Sequence, residues 1–164
     1  MTIFLKKKHT LKIDSFIFKC CIGKNGLTKN KVEGDKKTPK GIYEIENLYF
    51  RKDKINKPRT SLKCIEIKKN MGWCNDVKEK KKYNRLIEVS NKVRHEKLSR
   101  NDYKYDLLIP IKYNFKKNIT GKGSCIFIHL TKNYNPTAGC IAIKKKDFII
   151  MLKIINKNTK IKIY

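Results

Sequence analysis

Cys125-Ile126-Phe127-Ile128-His129-Leu130 decides how this chain is read, together with Cys140-Ile141-Ala142-Ile143, whose cysteine stands eleven residues after His129. Successive side chains of a strand point to opposite faces. Cys125, Phe127 and His129 therefore share one face, and Ile126, Ile128 and Leu130 share the other. His129 is the last residue on its face, where the chain leaves the sheet. Packing below holds such a ring while its nitrogens reach a cleft.

The same period of two runs outward from this stretch. Ile42-Tyr43-Glu44-Ile45-Glu46 and Lys63-Cys64-Ile65-Glu66-Ile67 alternate, as does Thr159 to Ile163. Asp14 to Ile22 and Asp106 to Tyr113 read as further strands, with Pro110 marking an edge or a strand end. Short strands separated by Gly-, Asn- and Lys-rich connectors predict an antiparallel β-sandwich or barrel. One segment departs from that period. Lys146 to Ile155 places Phe148, Ile149, Met151, Leu152 and Ile155 at helical spacing, with Asp147 suited to the first turn and Asn156 to the end. The expectation is a mainly β fold with one C-terminal amphipathic helix. With no internal repeat or linker, residues 1–164 read as a single domain.

The formal net charge is +27, from 41 Lys and Arg against 14 Asp and Glu. Nearly all of it is lysine; arginine stands only at Arg51, Arg59, Arg85, Arg94 and Arg100. Bidentate recognition of phosphate and bases favours arginine, so no specific nucleic-acid partner is expected. A solvated lysine surface attracts acidic surfaces weakly and in a salt-dependent way. No run is long enough to span a bilayer. The start, Met1-Thr2-Ile3-Phe4-Leu5-Lys6-Lys7-Lys8, places apolar residues before charges, the reverse of a secretory signal. That predicts a cytoplasmic location, or export by a route the sequence does not display.

Six cysteines allow three disulfides, but a free nucleophilic Cys140 leaves five, so a complete framework and a catalytic Cys140 exclude each other. There is no C-x-x-C, and His9, His95 and His129 lack ligand spacing, so no structural metal is expected. No nucleotide or flavin motif is present, and no cofactor is expected.

Cys140 closes Asn135-Pro136-Thr137-Ala138-Gly139-Cys140, a turn shaped by Pro136 and released by Gly139. If the intervening loop is a simple return, thiol and imidazole come close. A cysteine of pKa ~8.5 is mostly protonated at neutral pH. An imidazole beside it takes the proton and makes a thiolate–imidazolium pair. Backbone N–H groups around Gly139 and Cys140 face the developing oxyanion, and Gly139 has no side chain to obstruct the approach. A backbone carbonyl near Gly123 or Ser124 is the candidate partner for the second ring nitrogen. The competing reading is structural: cysteine is often a small buried hydrophobe, and a strand histidine often a satisfied one.

Gly123-Ser124-Cys125-Ile126-Phe127-Ile128-His129 followed by Pro136-Thr137-Ala138-Gly139-Cys140-Ile141-Ala142-Ile143 resembles the L,D-transpeptidase catalytic domain, the YkuD-like family. Glu33 to Gly41, Gly72-Trp73-Cys74-Asn75-Asp76, Tyr83-Asn84-Arg85 and Tyr105-Asp106-Leu107-Leu108 fit the same family, so the resemblance runs from about Cys20 to Tyr164. It implies a mainly β sandwich with a small helical element. It also implies attack on peptidoglycan stem peptides through a thioester on Cys140, with His129 as base, and a location in the cell envelope. Two positions depart from the family pattern. Ala138 stands where many members carry histidine, and Ala142 where many carry arginine.

Ser124, Gly123, Thr137, Tyr83, Asn84 and Trp73 are candidates for orienting or substrate-binding roles. Gly34, Pro39 and Gly41 read as turn punctuation, Asp35 and Asp106 as turn or cap partners. Trp73 reads as a core or rim aromatic against a substrate platform. Two other functions compete with transpeptidation. One is an L,D-carboxypeptidase or amidase with water as acceptor; the other is a non-catalytic basic module that binds nucleic acid or anionic polymer.

Overall fold

The computed structural model describes residues 1–6, 9–90 and 92–164. The chain opens with β1 (Thr2–Lys6), β2 (Thr10–Ile13) and β3 (Phe16–Cys21), an antiparallel meander with Ile3 opposite Ile13 and Leu11 opposite Phe18. Alternate residues of β1 and β2 are buried, so the period of two is real here although lysines and threonines blur it. Two short pieces, β4 (Leu27–Thr28) and β5 (Thr38–Pro39), pair in parallel. The chain continues through β6 (Gly41–Glu44), β7 (Leu48–Phe50) and β8 (Cys64–Glu66). Next, β9 (Met71–Cys74), β10 (Leu86–Glu88) and β11 (His95–Lys97) make a separate three-stranded sheet in the order β10-β9-β11. Then come β12 (Leu107–Pro110), β13 (Phe127–Leu130), β14 (Ile141–Ile143), the helix α1 (Lys145–Ile154) and β15 (Lys160–Ile163).

The main sheet has ten strands in the order β6-β15-β1-β2-β3-β14-β13-β12-β7-β8. The expected mainly β fold with one C-terminal helix is what the chain adopts. Pro110 marks the end of β12, which lies between β13 and β7 and is no edge. Antiparallel pairing dominates, but β1–β15, β7–β8 and β13–β14 are parallel. The last of these matters for the site. The connection from Leu130 to Ile141 is a crossover, not the simple return expected between His129 and Cys140.

The alternation in the opening stretch partitions two cores. Ile126, Ile128 and Leu130 join Ile141, Ile143 and the aliphatic residues of β1, β2 and β15 in one apolar cluster. Cys125 and Phe127 join Cys140, Trp73, Tyr105 and Leu108 in a second. Helix α1 seals the first cluster with Phe148, Met151 and Leu152, all fully buried. Each such side chain contributes roughly 1.5–3 kcal/mol of transfer free energy. Asp147 lies in the first turn and Lys153 in the last, as the helix dipole favours. Asn156 does not close the helix. Ile155 does, donating its N–H to the Met151 carbonyl at 3.1 Å, while Asn156 accepts from Asn158 in the next turn.

Candidate active site

His129 lies on β13 in register with Ala142 of β14, and Cys140 lies two residues before Ala142. Residues two apart along an extended chain point to the same side, so Cys140 follows Ala142 toward the face that carries His129. Sulfur and ring both line one cavity of about 570 Å³. Both are nearly covered, Cys140 at 7% exposure and His129 at 6%.

The imidazole is fixed in one tautomer. Its Nδ1 is 3.0 Å from the carbonyl of Leu130, so Nδ1 carries the proton and Nε2 is left as the acceptor. The orienting carbonyl is therefore Leu130's, not one near Gly123 or Ser124. Tyr105 packs edge-on against the ring, with centroids 5.3 Å apart. The Tyr105 hydroxyl donates to Glu96, which also lines the cavity.

The thiol of Cys140 donates to the carbonyl of Cys125 at 3.1 Å. Burial raises its pKa, and the charge of Glu96 raises it further; the Phe127 backbone N–H and the Lys31 ammonium oppose this. Burial also lowers the pKa of His129, to about 4, with Lys104 and Arg100 adding to the effect and the Leu130 hydrogen bond opposing it. Burial thus favours the neutral form of both the thiol and the imidazole. It works against the thiolate–imidazolium pair expected from the sequence, because desolvation penalises both charges.

The turn before Cys140 is tied down at several points. Thr137 forms a β-bridge with Gly23, accepts the Gly139 N–H at 3.1 Å and donates its hydroxyl to the Cys140 carbonyl at 2.6 Å. Gly139 has φ 141, and a Cβ there would lie 2.9 Å from the Lys37 carbonyl. Glycine is required for that backbone approach. The open side of Gly139 thus faces Lys37, not an incoming substrate, and its N–H is already engaged by Thr137.

Behind the cavity the chain is braced by buried polar groups. Cys125 has φ 54, a left-handed conformation just before β13, which begins only at Phe127, and its N–H donates to Asn84 Oδ1 at 3.2 Å. The same oxygen accepts the indole N–H of Trp73 at 3.0 Å, and Asn84 Nδ2 donates to the carbonyls of Tyr113 and Asn114. Tyr83 accepts the Gly123 N–H at 3.1 Å and donates to Glu33 at 2.5 Å, while Ser124 donates to Glu33 at 2.7 Å. Ser124 and Thr137 line the cavity with Cys140 and His129; Gly123, Gly139, Tyr83, Asn84 and Trp73 stand behind it. Lys31, Glu33, Glu96, Arg100 and Tyr105 are cavity residues that the sequence reading did not single out. Ala138 and Ala142, the two departures from the family pattern, both line it.

All six cysteines are free thiols. Among the described residues no group of three His, Cys, Asp or Glu is placed to hold a metal ion, and no helix is long and apolar enough to cross a membrane.

Fold and site together define a β-sheet protein with a cysteine–histidine cavity. Residues 2–163 match the YkuD, L,D-transpeptidase catalytic domain, and the chain belongs to that family. Its fold is that of the family's peptidoglycan enzymes. It is similar to the helical cell shape determining protein Pgp2 from Campylobacter jejuni, with 18% identity and a TM-score of 0.53 over 99% of this chain and 46% of that one. A mutant form of the same protein gives 18% identity and a TM-score of 0.51 over the same shares. The chain thus spans less than half the length of these solved structures, and the likeness concerns the fold. No curated protein matches the chain.

Proposed function

We propose that this chain is a cysteine acyltransferase acting on peptidoglycan stem peptides, an L,D-transpeptidase that makes 3-3 cross-links or related exchanges through a thioester on Cys140. The observation that carries this reading is the shared cavity of Cys140 and His129, with the ring tautomer that leaves Nε2 as an acceptor. As Sγ bonds to the substrate carbonyl carbon, its proton passes to Nε2 of His129. The charge on the carbonyl oxygen is met by backbone N–H donation, for which Cys140 remains the candidate since the Gly139 N–H serves Thr137. The C–N bond to the terminal D-alanine then breaks, the departing amine takes the proton from the imidazolium, and the thioester remains. An amine of a second stem attacks the thioester, His129 relays its proton to sulfur, and the thiol is restored.

In this reading charge separates only once substrate fills the cavity and lies against the buried thiol and imidazole. Residues 1–164 act as one catalytic domain, and the place of action is the cell envelope. The test is intact-mass spectrometry after exposure to a carbapenem, an acylating agent for this family. The expected result is one adduct on the native protein, none on Cys140→Ala and a slower one on His129→Ala. No adduct on the native protein would overturn the assignment.

A further inference from the structure

Strands β6, β15, β1, β2 and β3 are consecutive neighbours in the main sheet. Ile161, Ile3, Leu11, Ile13 and Phe18 point from them into the apolar cluster under α1. Their sequence neighbours therefore point to the opposite side. One row can be followed across all five strands on that side. Ile42 is in register with Lys162, Lys162 with Phe4, Phe4 with Lys12, and Lys12 with Ile17. Apolar and cationic side chains alternate along it.

Outward positions of a solvated sheet face are normally polar. Here Ile17 is 67% exposed, Ile42 59% and Tyr164 49%. Single exposed apolar residues need no explanation, but apolar residues gathered on one face mark a contact surface. The charge of the face has one sign. Its outward positions also hold Lys6, Lys19 and Lys160, and among the described residues none of the five lysines has an acidic partner. The acid at an outward position, Glu44, is taken by Lys112 at 3.1 Å. Asp14 lies beyond the row, in the turn from β2 to β3.

We propose that this side of the sheet docks on the surface of an anionic lipid bilayer. The lysines meet the headgroup phosphates, and Ile17, Ile42, Phe4 and Tyr164 enter the boundary between headgroups and acyl chains. Two observations favour a bilayer over a polyanion such as single-stranded nucleic acid. A polyanion supplies charge but no apolar phase, and leaves Ile17 and Ile42 in water. Base stacking also needs free ring faces. Phe4 and Tyr164 instead stack on each other with centroids 6.4 Å apart, and carry the ammonium groups of Lys6 at 6.0 Å and Lys162 at 4.9 Å. Strand β3 ties the face to the site: Cys21, two residues after Lys19, is in register with Ala142, which lines the Cys140 cavity. Docking thus sets that cavity at the flank of the contact. The proposal does not depend on the chemistry assigned to Cys140.

The test is co-sedimentation of the native protein with vesicles of equal parts phosphatidylglycerol and phosphatidylcholine. Binding is expected to weaken with salt and to vanish on phosphatidylcholine alone. Lys12→Gln with Lys162→Gln should lower vesicle affinity about ten- to thirtyfold. Ile17→Ser with Ile42→Ser should lower it about tenfold, and should leave affinity for an oligothymidylate unchanged. Lys68→Gln with Lys69→Gln, an equal loss of charge at the far end of the sheet beyond β8, should change it by less than about threefold. The substituted side chains point outward, so unchanged urea midpoints are expected and checked. No binding to the mixed vesicles overturns the proposal. So does a loss of equal size from the remote lysine pair, or no loss from the isoleucine pair, since either assigns the lysines to general polyanion binding.

Discussion

The two faces of β13 carry neighbouring residues of one strand to opposite ends. Ile128 and Leu130 meet Ile141, Ile143 and α1 in a cluster of buried apolar side chains. Phe127 and His129 meet Cys125, Cys140 and Tyr105, with Glu96 close by. Side chains on both faces are buried, but only the outer one sets a thiol and an imidazole around a shared cavity. The inner face contributes stability through area alone. The outer face keeps a thiol and an imidazole uncharged, which costs stability whenever the unfolded chain would ionise them. Burial therefore does different work on the two sides of one strand.

That contrast breaks most sharply at Cys140. If Cys140 is the proposed nucleophile, Cys140→Ala should lower the acyl-transfer rate at least about 10³-fold, as loss of a catalytic nucleophile does. Its urea midpoint should change little, because an alanine fills most of the same space. Steady-state kinetics and denaturation on the same preparation decide it; a stability loss as large as that at the inner face would make Cys140 a packing residue.

The inner face is tested by Phe148→Ala. It should cost about 3–5 kcal/mol in unfolding free energy, the usual range for a fully buried aromatic. The acylation rate of the molecules that stay folded should be unchanged. A parallel loss of acylation rate would couple the two faces more tightly than the packing implies.

The pH dependence sharpens the outer face. His129 has its pKa lowered from 6.5 to about 4 by burial. Between those values the unfolded chain binds a proton that the folded protein refuses, so stability falls as pH drops through that window. The contribution lost is roughly 3 kcal/mol. Burial of Glu96 raises its pKa and works in the opposite sense in the overlapping range. The measurement is therefore the difference between native protein and His129→Gln in urea titrations from pH 7 to pH 4. Identical slopes would mean that His129 titrates normally.

The smallest expected effect lies behind the site. Asn84→Ala removes the acceptor for Cys125 N–H and the Trp73 indole, and should cost about 1–3 kcal/mol for the orphaned buried donors. Because Cys125 also supplies the carbonyl that holds the Cys140 thiol, acylation should slow as well. Unchanged acylation would limit Asn84 to a structural role.

Much of this was legible in the residues. Alternation from Cys125 to Leu130 foretells which side chains enter which cluster, and helical spacing finds α1 within one residue at each end. The sense of pairing was not legible. A period of two is the same for parallel and antiparallel neighbours, so nothing in the two runs separates a return from a crossover. The three-stranded sheet stayed hidden because β11 is only His95-Glu96-Lys97, polar at every position in a lysine-rich chain. With it went Glu96. The protonation state of the site also belongs to tertiary structure: no spacing reports how dry a thiol will be.

The strap between Thr137 and Gly23 has a consequence for when this protein becomes reactive. The loop bearing the sulfur is held by residues more than a hundred positions earlier, so it cannot be set before distant parts of the polypeptide have met, and such long-range closures are slow. A half-made or locally opened chain would offer an ordinary cysteine with no histidine in place. Chemical competence would then switch on once, with the last long-range contacts, and no short fragment around Cys140 would possess it.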